Sequence, residues 1–339
     1  MAITRLRIRN FKSVKDLELD CKRINIFIGE PNTGKSNILE SLGLVSHVCY
    51  GDLRDFVRFE TMLDLFYDRN LDDAIKIGLD DDGLELVFRN GQFHMIFVHE
   101  EQSNVRSARS LLSYGYEGGG GRNKRWEPPE EQKILEAIKF YRFRRLGVFG
   151  QTLSDFLSPP YGDNLLHILL TRKDLKKAVS DLFRRFGYRI VFKPSEGRIE
   201  VQKDLEDVIV SIPYALSSET LQRVSFYLAA IYSNTNSIIS FEEPEAHAFP
   251  YYTKYLAERV ALDSIKNQYF IATHNPYFLI SIMEKTPRDE IATFVVYFED
   301  YQTKTKALSA NDIERALAMG SDVFFNIAQF LDKSSGKGT

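Results

Sequence analysis

Cysteine is nearly absent: the 339-residue chain has two, Cys21 and Cys49. Two thiols at that spacing make neither a disulfide framework nor a metal-ligand set, which fits a reducing, intracellular setting. No run approaches the ~18 apolar residues of a bilayer-spanning helix. The opening MAITRLRIRNFKS lacks the apolar core of a secretory signal. A cytoplasmic protein with no membrane partner is therefore expected. Neither sign of charge dominates: 44 Lys and Arg stand against 47 Asp and Glu, a net −3. That excludes a global attraction to nucleic acid or anionic membrane, while local basic faces remain open. There is no internal repeat, and no heptad run sustains an extended coiled coil. What is present is the composition of a globular protein, long enough for one large domain or two lobes.

Residues 3–9 (ITRLRIR) alternate with period two and predict a half-buried strand, whereas INIFI at 24–28 predicts a fully buried one. SNILESLGLVSHV has helical spacing. Residues 73–99 read as antiparallel strands with turn residues between them. YGYEGGGGRNKRWEPPE at 114–130 reads as a mobile loop. Residues 131–187 read as helix-rich, interrupted by SPPYGDN at 158–164, and YRIVFKPSEGRIEVQ reads as a hairpin turned at SEG. ETLQRVSFYLAAIY, SIISF, KYLAERVALDSI and QYFIAT then alternate as helix and strand, followed by a strand pair and a final helix. The expected organisation is an α/β nucleotide-binding core from 1–50 plus 188–310, with an antiparallel β subdomain at 51–115. The remaining parts are a flexible Gly-rich loop at 116–130, a helical lobe at 131–187 and a disordered tail at 332–339.

Gly29-Glu30-Pro31-Asn32-Thr33-Gly34-Lys35-Ser36 fits G-x-x-x-x-G-K-S, with a buried strand before it and a helix after it. Glycines let the backbone curl its N–H groups toward phosphate oxygens, and the helix adds its positive end. Lys35 is expected to reach the β- and γ-phosphates, and Ser36 to hold Mg²⁺. Gly29, Asn32, Thr33, Gly34 and Asn37 complete the expected cradle.

FEEPEAH follows SIIS at 241–247. Two carboxylates at the end of a buried strand are costly unless a cation or a proton transfer uses them. Glu242 suits a metal-orienting role and Glu243 a water-activating one. The competing reading is a strand ended by solvated acids and Pro244. Two further segments weigh against it. Ala215-Leu216-Ser217-Ser218-Glu219-Thr220 precedes an apolar-striped helix, with Ser217 also well placed as its N-cap. Ala272-Thr273-His274-Asn275-Pro276 puts a histidine at another strand's end, where it can sense a γ-phosphate.

In this order, these elements resemble the ABC-type ATPase superfamily, closest to the RecF, SMC and OLD-type ATPases often grouped as AAA ATPase domains. ITRLRIRNFKSVKDLEL is similar to that branch's opening strand and N-F-K-S turn, FEEPEAHAFP to its Walker B segment and ATHNP to its switch-histidine segment. The likeness covers 1–48 and 211–280 well and the middle loosely. It implies a two-lobed P-loop NTPase head that sandwiches ATP and Mg²⁺ between two copies. Lys35 and Ser36 would bind phosphate and metal, Glu242 would orient Mg²⁺, Glu243 would be the general base and His274 the γ-phosphate sensor. Ser217 would act in trans, and Asn10, Phe11, Lys12 and Ser13 would lie beside the nucleotide. Two departures stand out: Glu219 replaces the signature Gly, and no Q-loop Gln is evident, Gln92 and Gln151 being weak candidates.

The resemblance implies an ATP-gated homodimer acting on DNA or driving an effector protein in trans, in DNA repair or anti-phage defence. About 65 residues follow His274, too few for the nuclease domain of OLD enzymes, so an effector is expected to come in trans. Candidate DNA contacts are Arg122, Lys124 and Arg125, then Arg142, Arg144 and Arg145, and Lys173, Lys176 and Lys177, each set competing with a reading as solvated surface. An ATP-binding scaffold with negligible turnover is the alternative, prompted by Glu219. GTPases would need an N-K-x-D segment, hexameric AAA+ enzymes a helical lid with an arginine finger, and RecA-like motors lack the signature-plus-His arrangement.

Overall fold

The computed structural model describes residues 1–100, 106–119, 129, 132–264 and 267–331. Most of the Gly-rich stretch, with Arg122, Lys124 and Arg125, and the tail 332–339 lie outside the described residues.

The site is built on a six-stranded sheet in the order β15-β14-β3-β13-β12-β8. Its strands are β3 (Ile24–Ile28), β8 (Ile138–Tyr141), β12 (Ile238–Glu242), β13 (Gln268–Ala272), β14 (Ile291–Glu299) and β15 (Gln302–Ala307). All neighbours are parallel except the β14–β15 hairpin. Parallel strands are covered on both faces, so they read as unbroken apolar runs, and β3 and β13 are buried at every position.

One face of this sheet presents Ile24, Ile26 and Ile28 to a core shared with α6 (Glu219–Ser233), α7 (Pro250–Ala261) and α8 (Pro276–Lys285). The opposite face carries a row of rings. Phe27 lies 5.4 Å from Phe294 and 6.4 Å from Phe270, both stacked. This row packs with α1 (Lys35–Tyr50) and with a second, wholly antiparallel sheet. The second sheet has the order β2-β1-β4-β5-β6-β7 and consists of β1 (Arg5–Phe11), β2 (Val14–Asp20), β4 (Ile75–Leu79), β5 (Asp82–Arg89), β6 (Gln92–Glu100) and β7 (Arg106–Tyr114).

Three expectations from the sequence need correcting. The first two strands lie in the antiparallel sheet, not the central, mostly parallel one, because β1 pairs β4 through Leu6↔Leu79 and Ile8↔Ile77. Within 131–187, read as helical, a short helix α3 (Lys133–Ala137) runs straight into β8, whose four residues pair in parallel with β12 and add an edge to the central sheet. That segment continues into α4 (Leu165–Thr171) and α5 (Lys173–Arg184). Third, the hairpin β9 (Arg189–Lys193) and β10 (Arg198–Leu205) gains a partner, β11 (Val208–Pro213), which makes a third, three-stranded sheet.

Candidate functional site

Ligands of parallel α/β sheets collect beyond the carboxyl ends of the strands. Four strand ends meet here. β3 runs into Gly29, β12 ends at Glu242, β13 leads to Thr273 and His274, and β8 delivers Arg142. The register brings Glu242 level with Ala272, and Ala272 level with Phe27. Glu243 N–H donates to Ala272 O and Thr273 N–H to Phe27 O, at 3.0 and 3.1 Å.

The phosphate loop is shaped by close packing. A Cβ on Gly29 would stand 2.2 Å from Val296 O, and one on Gly34, at φ +98°, would stand 1.9 Å from Thr303 Oγ1. Glycine is required at both places. Gly34 caps α1, and Asn32 adopts φ +62° at the loop's exposed tip. Thr33 Oγ1 donates to Glu30 O at 2.9 Å, and Thr33 O accepts from Thr303 Oγ1 at 2.9 Å. Lys35 is folded onto the loop, its Nζ donating to Gly29 O at 3.0 Å and Glu30 O at 2.6 Å. Burial lowers its ammonium pKa to about 8, against the pull of Glu243 and Glu30. Asn37 donates to Ser13 Oγ at 2.7 Å, which ties α1 to the β1–β2 turn.

Beside the loop stands a cluster of five charges. Glu40, one helical turn beyond Ser36 on α1, is fully buried and bonds Lys12, Arg58 (Nε to Oε1, 2.6 Å) and Arg142 (Nη2 to Oε1, 3.0 Å). The same two arginines hold Glu242: Arg58 Nη2 meets Oε1 at 3.0 Å, and Arg142 Nε meets Oε2 at 3.1 Å. Burial pushes the Glu242 carboxyl up, but the two guanidiniums and a hydrogen bond from Ser36 outweigh it and leave the group more acidic than an ordinary glutamate. Three cations against two carboxylates give the cluster one surplus positive charge.

Glu243 is placed differently. Its side chain is 46% exposed, its backbone sits at φ +44°, and its Oε1 lies 3.4 Å from His274 Nε2. A left-handed conformation at a non-glycine residue is strained and must be held by its surroundings. Burial lowers the His274 pKa, the Lys35 ammonium adds to that, and Glu243 opposes both. Glu245, the third acid of FEEPEAH, is 4% exposed and accepts from Thr273 Oγ1. Burial raises its pKa to about 7.

Not every residue expected at the site faces it. Asn10 is buried and its amide donates to Asn70 O and Asp73 O, so it secures the 70–73 turn. Phe11 lies in the core, and Lys12 is bound to Glu40 and Arg58 O. Ser13 does reach the loop, since its hydroxyl meets Thr303 Oγ1 at 2.7 Å. Ser217, expected as an N-cap, instead donates to Tyr214 O and closes a 3-10 turn, while Ser218 occupies the cap position of α6. Glu219 is neutralised within the chain by Arg223 at 2.9 Å and Arg145 at 3.1 Å. Gln92 opens β6 in the antiparallel sheet and Gln151 sits on an exposed loop, so neither approaches the strand ends. In the expected DNA-contact set, Arg142 is turned to the two glutamates, whereas Arg144, over the Tyr161 ring at 3.8 Å, and Arg145, paired with Glu219, stay exposed. Lys173 and Lys177 stay exposed on α5, with Lys176 half-buried.

Sequence reasoning missed Glu40 and Arg58, and read Arg142 as a candidate DNA contact and not as a partner of Glu242. The ion pairs joining them span 18 to 184 positions. The one local signal was Glu40, four residues after Ser36 on the same helix face. Among the described residues, no group of three or more His, Cys, Asp or Glu side chains makes a metal cage, and no helix is long and apolar enough to cross a membrane. The Ser36 hydroxyl and Glu242 carboxylate, already hydrogen-bonded to each other, are the hard oxygen donors that Mg²⁺ accepts beside a phosphate.

A glycine loop at the first strand end, an acid pair at the second and a histidine at the third make the strand-end layout of a P-loop fold. Comparison with known proteins supports that fold. Residues 1–111 match the family model described as the AAA ATPase domain. Among solved structures, the Smc head bound to the C-terminal winged-helix domain of ScpA is similar at 12% identity and TM-score 0.52, covering 93% of this chain and 100% of that one. An Smc head domain with an extended coiled coil, bound to the C-terminal domain of ScpA and derived from Pyrococcus furiosus, is similar at 13% identity and TM-score 0.51, covering 94% of this chain and 98% of that one. No curated protein matches. The fold is that of an SMC-like ATPase head.

Proposed function

We propose that this protein binds ATP with Mg²⁺, closes as a homodimer around the nucleotide, and hydrolyses it to drive work on DNA or on an effector protein. The observation that carries this reading is the convergence of Lys35, Ser36, Glu242, Glu243 and His274 at the carboxyl ends of three adjacent parallel strands. The surplus positive charge of the neighbouring cluster supports it, because a partly buried surplus of cations beside the loop favours an anion such as phosphate. Bound Mg²⁺ would neutralise phosphate charge, held by Ser36 and Glu242.

The roles follow from the environments. Lys35 exchanges its loop carbonyls for phosphate oxygens. Glu243 accepts a proton from water as the water oxygen bonds to the γ-phosphorus and the bond to the ADP oxygen breaks. His274, kept neutral by burial and by Lys35, hydrogen-bonds the γ-phosphate and orients Glu243. Ser217 serves the partner copy's phosphate. Both SMC heads are bound to ScpA domains, and a protein partner is the corresponding proposal for this chain.

Phosphate release and oligomeric state of wild type and Glu243→Gln, with and without ATP, test the reading. The variant is expected to lose about 10²–10⁴ in turnover and to accumulate as an ATP-bound dimer. A variant that stays monomeric at saturating ATP sinks the sandwich. The engagement of Glu242 by two guanidiniums favours a second reading, an ATP-binding scaffold with negligible turnover. Equal inactivity of both proteins would establish that reading instead.

A further inference from the structure

We propose that Arg142 is a positioning residue that holds Glu242 in the absence of a metal and yields it when one binds, keeping Glu40 as its remaining partner. The proposal rests on the ATP-site reading above. β8 and β12 are parallel neighbours with Tyr141 level with Phe241, so Arg142 and Glu242 leave the sheet side by side. The guanidinium then spans two carboxylates: Nη2 lies 3.0 Å from Glu242 Oε2 and 3.0 Å from Glu40 Oε1. The planar fork of arginine suits such bridging, which a lysine ammonium does not reproduce.

Charge argues that this is a transient arrangement. Lys12, Arg58 and Arg142 already exceed Glu40 and Glu242 by one positive charge, and Lys12 is made less basic by burial and by both arginines. A divalent ion on Ser36 and Glu242 would add two more charges within a few ångströms, an unfavourable contact while Arg142 still grips the same carboxylate. Glu40 cannot leave, being fully buried on α1. Arg142 can: its side chain is 21% exposed, and on releasing Glu242 it is still paired with Glu40. Arg58, 58% exposed, bonds the other Glu242 oxygen and, like Arg142, keeps Glu40 as a partner when it lets go. Arg142 and the metal thus compete for one carboxylate.

The test is Mn²⁺ binding, read by electron paramagnetic resonance as a substitute for Mg²⁺, to the full chain with a non-hydrolysable ATP analogue. Arg142→Gln is expected to tighten Mn²⁺ about tenfold. In a Glu242→Gln background the same substitution is expected to change nothing. An effect of equal size in both backgrounds would show only a general electrostatic influence and overturn the proposal, as would unchanged or weaker Mn²⁺ binding. Arg142→Lys, which keeps the charge without the fork, gives a smaller change in the same direction and serves if the Gln variant does not fold. Loss of analogue binding by the wild type would overturn the ATP-site reading itself, whereas intact analogue binding with unaltered metal affinity overturns this proposal alone.

Discussion

Glu242 and Glu243 are consecutive residues that the fold treats in opposite ways. The first is 14% exposed, gripped by Arg58 and Arg142 and made more acidic. The second is half exposed, on strained backbone, beside a histidine and a lysine that are both of lowered pKa. The pair divides the site into a clamped side, where charge is fixed by ion pairs, and an open side, where protons and phosphate oxygens can be exchanged. In the function proposed above, the clamped carboxylate would orient the metal and the solvent-facing one would take the proton from water.

That contrast predicts which substitutions damage chemistry and which damage the fold. On the open side, Lys35→Ala is expected to weaken ATP binding roughly 100-fold or more with little change in melting temperature, measured by fluorescence titration. On the clamped side, Glu40→Gln leaves the Lys12 ammonium, only 12% exposed, without its carboxylate partner and is expected to cost on the order of 3 kcal/mol in denaturant unfolding. A large stability loss in the first or none in the second would erase the distinction.

Glu245 sharpens the comparison through pH. Its folded-state pKa, about 7, stands above its ordinary value of 4.5. The folded protein therefore holds this proton more tightly than the unfolded chain. The stabilisation is complete below about pH 4.5 and is lost as pH rises through 7, on the order of 3 kcal/mol in all. Glu245→Gln is expected to flatten that fall in a pH series of unfolding midpoints. The smallest effect is expected at the rim, where Arg145→Ala removes one partner of a half-exposed pair with Glu219 and changes stability by less than about 1 kcal/mol. A larger loss would mean that Glu219 depends on Arg145 more than on Arg223.

The open side was legible in the sequence because each part is local. A glycine loop between buried strand and helix, acids ending an apolar run, and a histidine after another run all declare themselves within ten residues. The clamped side was not, since Arg58, Arg142 and Glu242 meet only after the chain has doubled back across the sheet. The strand at Ile138–Tyr141 was missed because ILEAIKFY continues a helical apolar spacing, and pairing with β12 overrides it. Asn10 and Phe11 were misplaced because a turn near the loop was taken for a turn facing it; the buried amide and ring point the other way.

The hydroxyl of Thr303 against Gly34 has a consequence for how the protein comes into being. Residues 29–36 take their shape from Ser13 behind them and from Val296 and Thr303, some 270 positions later in the chain. The region that matches the AAA ATPase domain ends at residue 111, well before those supports are synthesised. A nascent chain that has emerged only that far carries every letter of the phosphate-loop motif without the walls that mould it. Contacts of such long sequence separation form late. Competence for nucleotide should therefore arrive abruptly, once the β14–β15 hairpin has closed over the loop, and not grow with each strand added.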